Sequence, residues 1–155
     1  DYDGAIEQFE DGVELSVNFT DGHNGIGWSN MMLNYADTSE VYFTTGVAVG
    51  DTSIVGTEVL AGRAFARLAQ SEYADAIIDA KAALTRTPAW IFRHDSSMTH
   101  QDLTHSVATA FYAQGLFDSS YTWVKKLDAT FTTDVTTLGG RSALAAKLED
   151  LDAIF

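Results

Sequence analysis

The stretch Arg63–Pro88, RAFARLAQSEYADAIIDAKAALTRTP, decides how the chain folds. It reads as two short amphipathic helices joined at Gln70–Ser71–Glu72, with Pro88 just past the second. Proline cannot continue a helix, so it marks the end. Small residues stand where the two helices approach each other, at Ala64, Ala76 and Ala83. Tyr73 opens the second helix and Leu84 sits near its end. A hairpin this short has one apolar face and cannot cover it alone. Hairpins of the same kind, stacked on either side, supply the cover.

Outward from this hairpin the same anchors return. Second-helix positions recur as Ala5/Phe9/Gly12, Ser39/Phe43/Gly46, Ala76/Ala80/Ala83 and Ser120/Val124/Leu127, in steps of 34, 37 and 44 residues. Residues 1–15 form an amphipathic helix with Ala5, Phe9 and Val13 four apart, and Asp1 and Asp3 favour the positive end of its dipole. Residues 16–25 are turn-rich, and a helical stretch is expected from Ile26. The stretch SEVYFTTGVAV (residues 39–49) is rich in Thr and Val, which favour strands in isolation. The repeat overrides that preference and predicts a helix. Ser53 or Thr57 caps the next helix, and Thr99 caps the one after the insertion. Arg141–Ile154 reads as a closing helix with Leu144, Leu148, Leu151 and Ile154 on one face.

With Gly27, Ala64 and Ala108 in first helices, and Tyr73 and Phe117 opening second helices, residues 1–134 resemble a tetratricopeptide repeat protein. The first step equals that family's period, and the other two fit it with short insertions. The piece from Tyr73 to Phe117 carries EYADAIIDAKAAL, FRHDSSMTHQDL and ATAFYAQGLFDSS. It resembles bacterial tetratricopeptide proteins, often cell-envelope lipoproteins. The resemblance implies an all-α, right-handed solenoid of helical hairpins. Its parts are a half repeat at 1–15, repeats at 20–53, 57–90 and 101–134, an insertion at 91–100, and a capping helix at 141–154. The half repeat implies a chain that begins inside a longer array. The resemblance also carries a leaning toward a bacterial periplasm or cell envelope. Arg63 and Arg67 depart from the family pattern, which prefers Leu and Tyr there. They snorkel outward, sit on a rotated helix, or serve a ligand.

Composition narrows the function classes. The 155 residues suit one domain or one short array, and 46% apolar content suffices for a core. No cysteine is present, which excludes disulfides, thiolate zinc sites and thiol catalysis. A net charge of −13 argues against nucleic acid and anionic membranes. It fits either a surface adapted to high salt or an ordinary acidic protein. No apolar run reaches the length of a membrane span.

The resemblance implies a concave groove lined by first helices. That groove would present Asn24, Trp28, Met31 and Met32, then Glu58, Ala61, Phe65, Leu68 and Ala69, then Asp102, His105, Thr109, Tyr112 and Ala113. Aromatics and methionines on such a face suit a protein or peptide partner. Apolar residues at helical spacing equally suit the core between repeats. The expected function is a non-catalytic binding scaffold with no cofactor. The alternative is a small-ligand or divalent-metal module, with His94, His100 and His105 as ligands and Arg63/Arg67 holding an anion. Structural readings stand beside each: Asp95, Ser96 and Ser97 fold a turn, and the arginines make salt bridges to Glu58, Asp75, Asp79 or a neighbouring repeat. Acid pairs such as Asp75/Asp79 are expected on solvated helix faces. No Ser-His-Asp motif or phosphate loop is present.

Overall fold

The computed structural model describes residues 1–154. It contains eight helices: α1 (Tyr2–Leu15), α2 (Thr20–Met32), α3 (Ala36–Val49), α4 (Ile54–Ala69), α5 (Tyr73–Arg86), α6 (His100–Ala113), α7 (Phe117–Leu127) and α8 (Leu138–Asp152). Among the described residues there is no strand, only an isolated antiparallel bridge between Ile91 and Thr99. The chain is a helical-hairpin solenoid, and the Thr/Val-rich stretch is helical, as the repeat demands. Among the described residues no helix is long and apolar enough to cross a membrane.

The hairpins are built alike. Each turns at a residue with positive φ: Asn34 at 63°, Ser71 at 64° and Gly115 at 75°. In each, the next amide bonds back to a carbonyl in the first helix: Tyr35 to Asn30 (2.9 Å), Glu72 to Arg67 (2.8 Å), Leu116 to Phe111 (2.9 Å). That bond satisfies an orphan carbonyl at the helix end. Ser39 Oγ donates to the carbonyl of Gly27 (2.7 Å), and Ser120 Oγ does the same to Ala108 (2.8 Å). The middle hairpin has Ala76 and Ala64 at those places, so it lacks this hydroxyl–carbonyl bond.

Several boundaries differ from the sequence expectation, among them the end of α8 at Asp152, which leaves Ile154, expected on its apolar face, exposed. Helix α2 begins at Thr20 rather than near Ile26. Its glycines suggest a loop, yet they serve close packing. A Cβ on Gly25 would stand 2.3 Å from the Phe9 ring, and one on Gly62 in α4 would stand 2.2 Å from Phe43. A phenylalanine of α1 and one of α3 thus each seat on a bare glycine of the following first helix. Helix α8 starts at Leu138 rather than Arg141, because Thr137 accepts from the Gly140 amide as its N-cap.

The apolar interior has two centres. The larger gathers Phe43, Val59, Ala64, Ala80, Trp90, Phe92, Leu103 and Val107. The smaller joins Ala108 and Val124 to Val135, Leu144, Leu148 and Leu151, so α8 caps the stack. Burying each such Leu or Val gives about 1.5–3 kcal/mol, which an isolated hairpin would forfeit. The backbones of the first helices α2, α4, α6 and α8 approach in succession, whereas those of α1, α3, α5 and α7 stand apart, α1 and α3 being joined through the Tyr42 hydroxyl and Glu10 (3.2 Å). First helices therefore line the tighter, inner wall.

Candidate functional site

The inner wall carries two recesses. One, of about 220 Å³, lies between α4, α6 and the end of α8. It is lined by Phe65, Leu68, Asp102, His105, Ser106, Thr109 and Asp152. Phe65 and Leu68 are half-buried, so each packs on one side and faces the recess on the other. His105 is held in place by a hydrogen bond from Nε2 to the Leu148 carbonyl of α8 (2.9 Å). The Thr109 hydroxyl is buried without a partner.

The second recess, of about 480 Å³, lies between α1, α2 and the loop that follows α5. Tyr2, Ala5, Phe9, Trp28, Met32 and Phe92 give it an apolar interior, and Asp21, His94 and Asp95 stand among its polar lining. Asn24 and Trp28 belong to its lining, and Oδ1 of Asn24 and Nε1 of Trp28 are buried with no hydrogen-bond partner. Exposed Asp95 accepts from the Ser97 hydroxyl (2.6 Å) and amide (3.0 Å). Those bonds hold its carboxyl below the usual carboxylate range.

The loop is the feature that the sequence did not announce. Trp90 is fully buried and Phe92 is 4% exposed. Phe92 stacks on Trp28 with ring centroids 4.4 Å apart. Arg93 then reaches Glu58 through Nε (2.8 Å) and Nη2 (2.7 Å), and its backbone amide bonds the same carboxylate (3.1 Å). Nη2 of Arg93 also bonds Asp21 (3.0 Å), and Nδ2 of Asn24 donates to Glu58 (2.9 Å). The hydrogen bond to Glu58 pushes the Arg93 pKa up against the opposing effect of burial. The insertion therefore lies across the inner wall at the α2–α4 seam and divides the groove.

This corrects several expectations. Glu58, expected on the open face, is 0% exposed, because four donors enclose it. Asn24 (1% exposed) and Trp28 (5%) are core residues at the floor of a recess rather than freely presented. Met31 packs against the core, and Met32 remains exposed. Tyr112 turns to the end cap: its hydroxyl donates to the Arg141 carbonyl (3.3 Å) and its ring meets Phe117 edge-on. Phe65, Leu68, His105 and Thr109 are brought together in the smaller recess.

Arg63 and Arg67 are engaged internally. Arg63 grips Asp79 through Nε (2.8 Å) and Nη2 (2.7 Å). Arg67 bonds Asp79 (2.8 Å) and Glu40 (2.8 Å), and Gln70 adds a second bond to Glu40 (2.9 Å). Asp79, expected on a solvated face, is 2% exposed at the centre of this network. The guanidinium groups that an added anion would need are already satisfied.

The histidines stay apart. His94 is exposed and lies edge-on to Phe92, His100 stands at the start of α6, and His105 bonds α8. Among the described residues no three His, Cys, Asp or Glu side chains gather as a metal site. The insertion folds through the Asp95–Ser97 turn and the Thr99–Asp102 capping box.

No family model and no curated protein matches the sequence. The fold is similar to the crystal structure of MamA protein, which contains tetratricopeptide repeats. The similarity covers 86% of this chain and 70% of that one, with a TM-score of 0.66 and 14% identity. The fold is thus tetratricopeptide-like.

Proposed function

We propose that the chain is a non-catalytic scaffold that binds a protein or peptide along its first-helix face. The observation that carries this reading is the smaller recess. Four residues selected as partner-binding from the sequence, Phe65, Leu68, His105 and Thr109, line one cavity between successive first helices. An apolar side chain fits against Phe65 and Leu68, and polar groups of its backbone meet the rim of Asp102, His105 and Asp152. Asn24, Trp28 and Met32 belong to a second contact area on the same wall. The partner approaches as one or two short segments rather than as one continuous helix, because the 90–99 loop interrupts the trough. Fold similarity alone does not specify a partner, so the reading rests on these surfaces.

The test uses peptides selected from a random displayed library on the immobilised chain. Leu68→Ala and Thr109→Glu in the recess are compared with Ile78→Glu, a change at an exposed second-helix residue. The expected result is a loss of roughly tenfold or more in affinity for the recess variants, with no change for Ile78→Glu. Equal binding by all three variants contradicts the proposal.

A further inference from the structure

The larger recess lies at the other end of the wall, and its chemistry is more specific. Its interior is aromatic and aliphatic, from Phe9, Trp28, Met32 and Phe92. Its charged lining is acidic, from Asp21 and Asp95. The one arginine beside it, Arg93, is bonded to Glu58 and Asp21 and leaves Asp95 without a cation. The whole chain carries −13, so any ligand approaches through a negative field.

The protein's own loop shows what this wall accepts. Phe92 lays its ring on Trp28, and the next residue, Arg93, delivers a guanidinium to Glu58 and Asp21. An aromatic side chain followed by a cation therefore satisfies the α2 surface in both respects. The adjoining recess continues that surface, sharing Trp28, Phe92 and Asp21. We infer that this recess binds a basic–apolar peptide segment of a partner protein, burying an aromatic or aliphatic side chain while an adjacent Arg or Lys meets Asp95 and Asp21. The inference rests on the scaffold reading above and specifies the partner's chemistry at one end of it. Acidic segments are rejected at this site by like charge.

Two capped octapeptides test it, one with a Phe-Arg-Leu-Lys centre and one with Phe-Glu-Leu-Glu. Each is titrated into the full chain and followed by amide chemical shifts and calorimetry. The basic peptide is expected to bind about tenfold more tightly or better, weaken with added salt, and shift Gly25, Met32 and His94. Met32→Lys, a change at an exposed position, should cost a similar factor, with the circular dichroism spectrum unchanged. Equal affinity for the acidic peptide overturns the inference. So does binding of the basic peptide with shifts confined to His105 and Thr109, although the scaffold reading would survive that result. Binding of neither peptide also overturns it, and the scaffold reading then stands or falls on the library selection alone.

Discussion

Asp79 shows how much one side chain can decide. Its periodicity places it beside Asp75 on a helix face that reads as solvated, and Asp75 is indeed exposed. Asp79 instead turns inward because Arg63 and Arg67 reach it across the hairpin. Both arginines stand where the resemblance leads one to expect Leu and Tyr, and an ion network with Asp79 fills that space. The sequence offered Asp79 as one of several partners for these arginines, but not which of them pairs, because pairing depends on helix rotation. Removing one member of a buried pair strands the others. Asp79→Ala should therefore lower unfolding stability by roughly 3 kcal/mol in urea titration, and Asp75→Ala by about 0.5 kcal/mol or less. Similar losses for both would contradict the network's role. Glu58 follows the same logic: helical spacing placed it on the groove, and the cation that buried it came from a loop 35 residues away.

At the scale of elements, the helices were legible and the insertion was not. Recurring anchors at second-helix positions predicted helix over residues 39–49 against local propensity, and α3 spans Ala36–Val49. Stacking decides there, since most helical stability in a protein comes from packing of one face. The insertion carried a signal that helical reasoning passed over. Trp90 and Phe92 are two apart, which puts both on one side of an extended segment, and both are buried. The end cap depends on a more exposed tie. Lys147 of α8 bonds Asp128, the residue that ends α7, at 2.7 Å. The Lys147 ammonium, then the Thr130 hydroxyl and amide, hold the Asp128 carboxyl well below the usual carboxylate range. A carboxyl depressed in the folded state stabilises the fold above its unfolded pKa of about 3.9, and the contribution fades as pH falls through the folded value. The gap in urea midpoint between the native chain and Lys147→Met should be widest above pH 4 and shrink below it. A gap that widens on acidification would contradict this linkage.

Across the whole molecule, the shape follows from which helices meet. First helices approach closely in sequence along one wall, second helices stand farther apart, and α8 seals one end against solvent. The wall so formed is divided by the chain's own loop into two recesses of different size and character. Interruption of the groove was not readable from spacing, because it depends on Phe92 and Arg93 folding back onto α2 and α4. The division predicts contact at discrete stations rather than along an unbroken trough. The most direct test is hydrogen–deuterium exchange of the full chain with and without a library-selected ligand, read by mass spectrometry. The account predicts that slowed exchange is confined to the elements that line the two recesses: α1, α2, α4, α6, the end of α8 and the 90–99 loop. Protection confined to α3, α5 and α7 would contradict it.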